Sequence, residues 1–164
     1  MLKSCLRIRE ECIETLSVAA IEQGTVIDHI PAGSALSIFN LLNLKNLPHG
    51  IAMGLNLPSE KKEKKDLIKI ENYFLQPKEA HDIAIFAPHA TINIILNFAV
   101  VKKITAVLPD VVEKILICPN TKCITHIEPV FTVFFVEEFK KKVQLSCKYC
   151  EREFTLDELV ECSR

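Results

Sequence analysis

Cys118-Pro119-Asn120-Thr121-Lys122-Cys123 and, beyond residues 124–146, Cys147-Lys148-Tyr149-Cys150 set the architecture of the C-terminal third of this chain. Two close cysteine pairs, separated by enough chain to form a small sheet, can place four thiolates at the corners of one tetrahedron. Cys118, Cys123, Cys147 and Cys150 are thus the ligand set of one structural Zn2+ ion per chain, closed and with no vacant position for a substrate. Such a metal builds a surface and performs no chemistry. The alternative, four buried cysteines packed as small hydrophobes, does not produce two local chelating pairs. His126 offers a substitute ligand, but a sheet or surface histidine is the simpler reading.

Outward from the quartet, Val111–Arg164 reads as a short β-rich unit, with a strand over Val130–Val136 rich in branched and aromatic residues. A segment of this size has little core of its own, so the metal supplies much of its folding energy. Leu108-Pro109-Asp110 reads as a hinge. The 164 residues suit one ordinary domain or two small ones, and 49% hydrophobic content calls for a packed core. No apolar run approaches the roughly 18 residues needed to span a bilayer. Met1–Glu14 carries Lys3, Arg7, Arg9, Glu10, Glu11 and Glu14 and lacks the apolar core of a signal peptide, so the expected location is cytoplasmic, with no membrane partner. In that compartment Cys5, Cys12 and Cys162 read as free thiols. A formal net charge of -1 gives no general electrostatic case for nucleic acid.

The first hundred residues alternate strands and helices. Leu16–Ile21 reads as a strand, Gln23-Gly24 as a turn and Thr25–Ile30 as a second strand, broken by Pro31-Ala-Gly-Ser34. Ser34 is positioned as the N-cap of a helix whose apolar face is Ala35, Leu36, Ile38, Phe39 and Leu42. Gly50–Leu57 returns to strand. Asp66–Phe74 alternates, with Ile68, Ile70, Asn72 and Phe74 on its core-like face, Asn72 being the exception. Pro77 suits the first turn of a helix over Lys78–Phe86. Thr91–Lys103 reads as strand, with a hairpin turn near Asn97. This order is close to β-α-β-β-α-β with an added first strand: an α+β fold, an antiparallel sheet covered on one side by two helices.

Other signals are weaker. Lys61, Lys62, Lys64 and Lys65 read as a solvated loop or a phosphate patch. Asp28-His29 suggests an acid/base pair, but adjacent strand residues point to opposite faces, which makes a shared task awkward. With four glycines in the chain, the common phosphate-cradling loops are missing, and any nucleotide site must use side chains on a sheet.

Gly24-Thr-Val-Ile-Asp-His-Ile-Pro-Ala32, Gly54-Leu-Asn-Leu-Pro-Ser59, Lys65-Asp-Leu-Ile-Lys-Ile-Glu-Asn72, Cys118-Pro-Asn120 and Cys147-Lys-Tyr-Cys-Glu-Arg-Glu-Phe154 occur in that order. Together they closely resemble the regulatory-chain family of aspartate carbamoyltransferase, over about residues 16 to 155. The resemblance implies a noncatalytic subunit in pyrimidine biosynthesis. It implies an N-terminal extension (1–15), a ferredoxin-like domain (16–106) binding the nucleotide effectors CTP, ATP and UTP, and a zinc-ribbon-like, rubredoxin-like domain (107–164) that docks on catalytic chains. Regulatory homodimers would join the catalytic trimers. Carried over position by position, it places Asp28 and His29 near ribose and phosphates, Lys69 near ribose and base, and Lys103 and Lys65 at the phosphates. Val18, Ile21, Leu67, Asn93, Phe98 and Val100 would line the nucleoside part. Lysine ammonium groups neutralise phosphate and a carboxylate accepts from ribose hydroxyls, so the residue types fit the ligand.

Two other functions compete. A zinc-ribbon nucleic-acid-binding module would use Lys140, Lys141, Lys142, Lys148 and Arg152, but Glu128, Glu137, Glu138, Glu151, Glu153, Asp157, Glu158 and Glu161 share that segment and spoil a basic face. A freestanding enzyme is the weakest reading, because the metal site is closed and no paired acid/base constellation accompanies it.

Overall fold

Alternation of the fully buried Ile27, Ile68, Ile70 and Ile92 with polar or half-buried neighbours builds a sheet with one apolar face turned to the core. The computed structural model describes residues 18–59, 64–139 and 142–161. The N-terminal sheet contains β1 (Gly24–Pro31), β2 (Ile51–Pro58), β3 (Lys64–Glu71), β4 (Thr91–Leu96) and β5 (Ala99–Thr105) in the order β2-β3-β1-β4-β5, every neighbouring pair antiparallel. Helix α1 (Ala35–Leu41) connects β1 to β2, and α2 (Pro77–Phe86) connects β3 to β4. This is the ferredoxin-like split β-α-β arrangement with one further strand. Ala35 and Ile38 of α1, and Ala80, Ile83 and Ala84 of α2, share a core cluster with Ile27, Ile68, Ile70 and Ile92. Both helices therefore cover the same side of the sheet.

The added strand is β5 at the end of the unit, not Leu16–Ile21 at its front. Leu16 and Ser17 lie outside the described residues, and 18–21 form no strand. The carbonyls of Val18 and Ala19 instead accept from the Lys69 ammonium at 2.9 and 2.6 Å. The Phe98 backbone N–H donates to Glu22 O at 2.9 Å, so the segment crosses the sheet on the side away from the helices. Gly54 permits this approach: a Cβ there would meet Leu57 Cδ1 at 2.6 Å and Val18 Cγ2 at 3.0 Å. The hairpin does turn at Asn97, where Asn97 (φ 51°) and Phe98 (φ 61°) form a two-residue connection, both left-handed, that matches strand twist.

Helix ends follow local chemistry. Pro77 opens α2, and Gln76 and Glu79 form a reciprocal capping box. Ser34 stands at the N-cap of α1 but its hydroxyl makes no capping bond. The Asp66 carboxylate performs that task from β3: Oδ2 accepts from the N–H groups of Gly33 (2.8 Å) and Ala35 (3.3 Å). Its Oδ1 accepts from Asn56 N–H at 2.8 Å, and the residue is fully buried. Leu36, expected on the apolar face, is exposed. Strand β3 ends at Glu71, because Asn72 (φ 54°) leaves the sheet. That explains its exception to the apolar alternation, and Phe74 beyond it is exposed.

Past 106–110, short strands β6 (Val111–Glu113), β7 (Leu116–Ile117), β8 (Val133–Phe139), β9 (Lys142–Cys147), β10 (Glu153–Thr155) and β11 (Val160–Glu161) form two small sheets, β10-β9-β8-β6 and β11-β7. Strand β8 starts at Val133, later than Val130: the Val130 N–H turns back to Glu128 O, and Thr132 Oγ1 donates to Leu116 O. Among the described residues, Val112, Ile115, Leu116, Phe134 and Leu145 are the buried apolar side chains here besides cysteines. This core is small, as the sequence led us to expect. No helix among the described residues is long and apolar enough to cross a membrane.

Candidate functional site

Each cysteine pair sits on a tight turn fed by a strand. Cys118 follows β7, and the Cys123 N–H returns to Asn120 O at 2.8 Å while Asn120 Oδ1 accepts from Lys122 N–H. Cys147 ends β9; Glu151 N–H bonds Cys147 O at 2.8 Å, and Cys147 N–H bonds Arg152 O at 3.0 Å. Pairing of β8 with β9 sets Cys147 opposite Phe134 and brings the second turn against the first. The four sulfurs then lie within 4.8 Å of one another, with Cys118–Cys150 at 3.7 Å and Cys123–Cys147 at 3.9 Å. A tetrahedron with metal–sulfur bonds of about 2.3 Å has edges of about 3.8 Å, so the spacing fits a single four-coordinate thiophilic ion.

Cys118, Cys123 and Cys147 are buried and Cys150 is half-buried. Burial pushes the Cys118 and Cys147 thiols up. At Cys150 burial acts the same way, but the Asn120 side chain, the Arg152 backbone and the neighbouring thiols outweigh it and bring the group down to about 7. The protein alone therefore disfavours four thiolates in this space, and a cation that binds them must displace protons. His126 is not in the cluster. Its Nε2 lies 2.7 Å from Cys118 O, which braces the first turn.

The second candidate is the face of the N-terminal sheet opposite its two helices. Strand register places Ala52, Lys69, Val26, Asn93 and Lys103 directly abreast across all five strands. Period-two alternation puts Lys65 and Leu67 on the Lys69 side of β3 and Asp28 on the Val26 side of β1. The Lys65 ammonium contacts Asp28 Oδ1 at 2.8 Å and Oδ2 at 3.2 Å. A bulge between Ile27 and Ile30 breaks the alternation that would separate Asp28 from His29: His29 adopts φ 61°, and its N–H donates to Asp28 Oδ1 at 2.7 Å. His29 Nδ1 is buried 3.5 Å from Asp28 Oδ2 without forming a hydrogen bond. Of the lysine run, 61–63 lie outside the described residues, and Lys65 is the member that joins this face.

Val18 and Ile21 reach the same face on the crossing segment. Ile21 is buried, as is Ile95, and neither belongs to the helix-side core. Val100 pairs with Ile95 on β5 and is exposed. Phe98 sits at the hairpin tip, 67% exposed, with its N–H already bonded to Glu22. It is the sequence-derived residue least integrated into the row. Val26, at the centre of the row, was not among the sequence-derived candidates. Its position two residues before Asp28 was the available signal.

Burial lowers the Lys69 ammonium from its ordinary value, against an upward pull from Asp28. Asp28 ends below its ordinary 3.8: burial raises it, but Lys65 and the His29 N–H lower it more. The sign follows from this depression. The Asp28–Lys65 pair contributes stability above the ordinary carboxylate value, and the contribution is lost as pH falls through the lower folded value. Lys65→Met should therefore move the Asp28 carboxyl midpoint, read by 13C NMR, upward. An unchanged midpoint would mean that the ion pair does not hold the group down.

Residues 16–107 match the family model described as aspartate carbamoyltransferase regulatory chain, allosteric domain, and residues 110–160 match its metal binding domain. The chain is 48% identical over 147 residues to the aspartate carbamoyltransferase regulatory chain of Chromobacterium violaceum, covering 90% of this chain and 97% of that one. It is 50% identical to the regulatory chain of Proteus mirabilis (85% and 91% covered) and 47% identical to that of Vibrio campbellii (89% and 95%).

Proposed function

We propose an allosteric function for this chain, which belongs to the aspartate carbamoyltransferase regulatory-chain family. It is a noncatalytic subunit of pyrimidine biosynthesis in the cytoplasm. Residues 16–106 bind the nucleotide effectors CTP, ATP and UTP; residues 107–164 hold one Zn2+ through Cys118, Cys123, Cys147 and Cys150 and dock on the catalytic chain. The observation that carries the nucleotide assignment is the row Lys69–Val26–Asn93–Lys103 beside the Asp28–Lys65 pair, on the sheet face opposite α1 and α2.

The division of labour follows from these residue types. Lys103, Lys65 and His29 take the phosphates. Asp28 and Lys69 take the ribose, and Lys69 also borders the base. Val18, Ile21, Leu67, Asn93, Phe98 and Val100 border the nucleoside. The ammonium of Lys69 already organises the Val18 and Ala19 carbonyls, which supports a base-edge role for that segment. Zinc is the ion because four closely spaced thiolates suit a d10 cation with no redox chemistry. When bound it supplies a rigid tetrahedral crosslink between the two cysteine turns. Strand β5 is an edge strand with Ala99–Lys103 all exposed, which supports pairing of two copies into a homodimer.

Effectors act by differential affinity. A nucleotide shifts the assembly between two arrangements only by the difference in its binding to each, so opposing effectors must contact the face unequally. Calorimetric titration of the zinc-loaded chain with CTP and ATP tests the assignment. Saturable binding of both is expected, with each displacing the other; absence of binding would overturn it.

A further inference from the structure

The proposed nucleotide face depends on two irregularities that lie side by side. Strand β1 bulges between Ile27 and Ile30, and β2 bulges between Gly54 and Leu57. Each contains a non-glycine residue in the left-handed region, His29 (φ 61°) and Asn56 (φ 55°). Such conformations cost energy and persist only where the surroundings impose them. Both bulges flank the same stretch of β3: Ile30 pairs with Asp66, Pro31 and Leu57 pair with Lys65, and Gly54 pairs with Leu67. Asp66 faces the helix side, opposite Lys65, and is fully buried. One carboxylate oxygen binds Asn56 N–H inside the β2 bulge, and the other binds Gly33 and Ala35 N–H just past the end of β1.

We infer that Asp66 is a positioning residue for the nucleotide face, tying the β2 bulge to the turn that follows the β1 bulge so that Asp28 and His29 meet Lys65. It touches no ligand and acts through the backbone, from the opposite side of the sheet. A cap for α1 alone would need only the oxygen that binds Gly33 and Ala35. The second oxygen is committed to the β2 bulge, which lies outside any helix end. This inference rests on the reading of that face as the nucleotide site.

In Asp66→Asn one oxygen becomes an NH2 facing N–H donors, so at least one of the two anchors is lost. We expect the Kd of the zinc-loaded full chain for CTP and for ATP to rise at least tenfold and the Asp28 carboxyl midpoint to move upward. Ile85→Ala, a core truncation in α2 away from both bulges, serves as the comparator at a similar loss of melting temperature, and should leave both readouts unchanged. Equal loss of affinity in the comparator would make the effect one of general stability and overturn the proposal. So would wild-type affinity in Asp66→Asn. If Asp66→Asn does not fold, the exposed Asn56 gives a second route. Asn56→Val resists positive φ and should weaken binding, whereas Asn56→Gly accepts positive φ and should retain it. Equal weakening by both would assign the effect to the amide side chain and overturn the proposal. Failure of the wild-type chain to bind either nucleotide would refute the site assignment itself, a result distinct from all of these.

Discussion

Replacing Cys147 with serine should reduce zinc from about one ion per chain to nearly none and should unfold the C-terminal unit. The residue is fully buried at the end of β9, where its sulfur lies 3.9 Å from Cys123. A serine hydroxyl is a poor ligand at neutral pH, and the three remaining thiols, with Cys118 pushed up by burial, cannot close a four-coordinate site. Binding free energy at sites of this kind is about 10–16 kcal/mol, all of it available to folding. The core it supplements is small: among the described residues, Val112, Ile115, Leu116, Phe134 and Leu145 are its buried apolar members apart from the cysteines. Elemental analysis and near-UV circular dichroism read the two effects. Full zinc occupancy with native dichroism in the variant would contradict a closed four-thiolate site. The same logic gives the pH sign: because the ion displaces protons from raised thiols, metal retention should weaken as pH falls.

The second large effect is expected at Lys103. Its position on β5, abreast of Asn93, puts an exposed ammonium at the end of the polar row. A charge-assisted bond to phosphate is worth about 1.5–3 kcal/mol, so Lys103→Ala should raise the Kd for CTP and ATP by roughly 10- to 150-fold. The side chain is exposed and outside the core, so melting temperature and zinc content should stay near wild type. Titration calorimetry separates these outcomes. Unchanged affinity would remove Lys103 from the site, and a matching loss of stability would make it a structural residue.

Much of the fold is legible in the chain because the decisive signals are local. Paired cysteines announce their own turns, Pro77 opens a helix, and Asn97 marks a hairpin whose left-handed turn asparagine tolerates. The errors came where partners are distant in sequence. Residues 18–21 have strand-like composition, yet the Val18 and Ala19 carbonyls go to Lys69 in place of a ladder. Ser34 is a good capping residue by type, but Asp66, two strands later in the chain, had already taken the helix end. Alternation argued against joint action by Asp28 and His29, since a bulge with φ 61° cannot be read from adjacent letters. Asp66 itself left a trace: a carboxylate in register with Ile68 and Ile70 on the core face is an anomaly that calls for buried donors. The site residues came from family resemblance more than from chemistry. Register now shows that Lys69, Asn93 and Lys103 lie abreast, an alignment that spacing along the sequence does not reveal.

The most direct test of the proposed regulatory role is the rate of carbamoyl transfer by aspartate carbamoyltransferase catalytic chains reconstituted with this zinc-loaded chain, at subsaturating aspartate, with and without CTP or ATP. We expect the nucleotides to change the rate only when this chain is present, and the response to shrink with Lys103→Ala although the complex still assembles. Stable assembly with a nucleotide response identical in the presence and absence of this chain would contradict it.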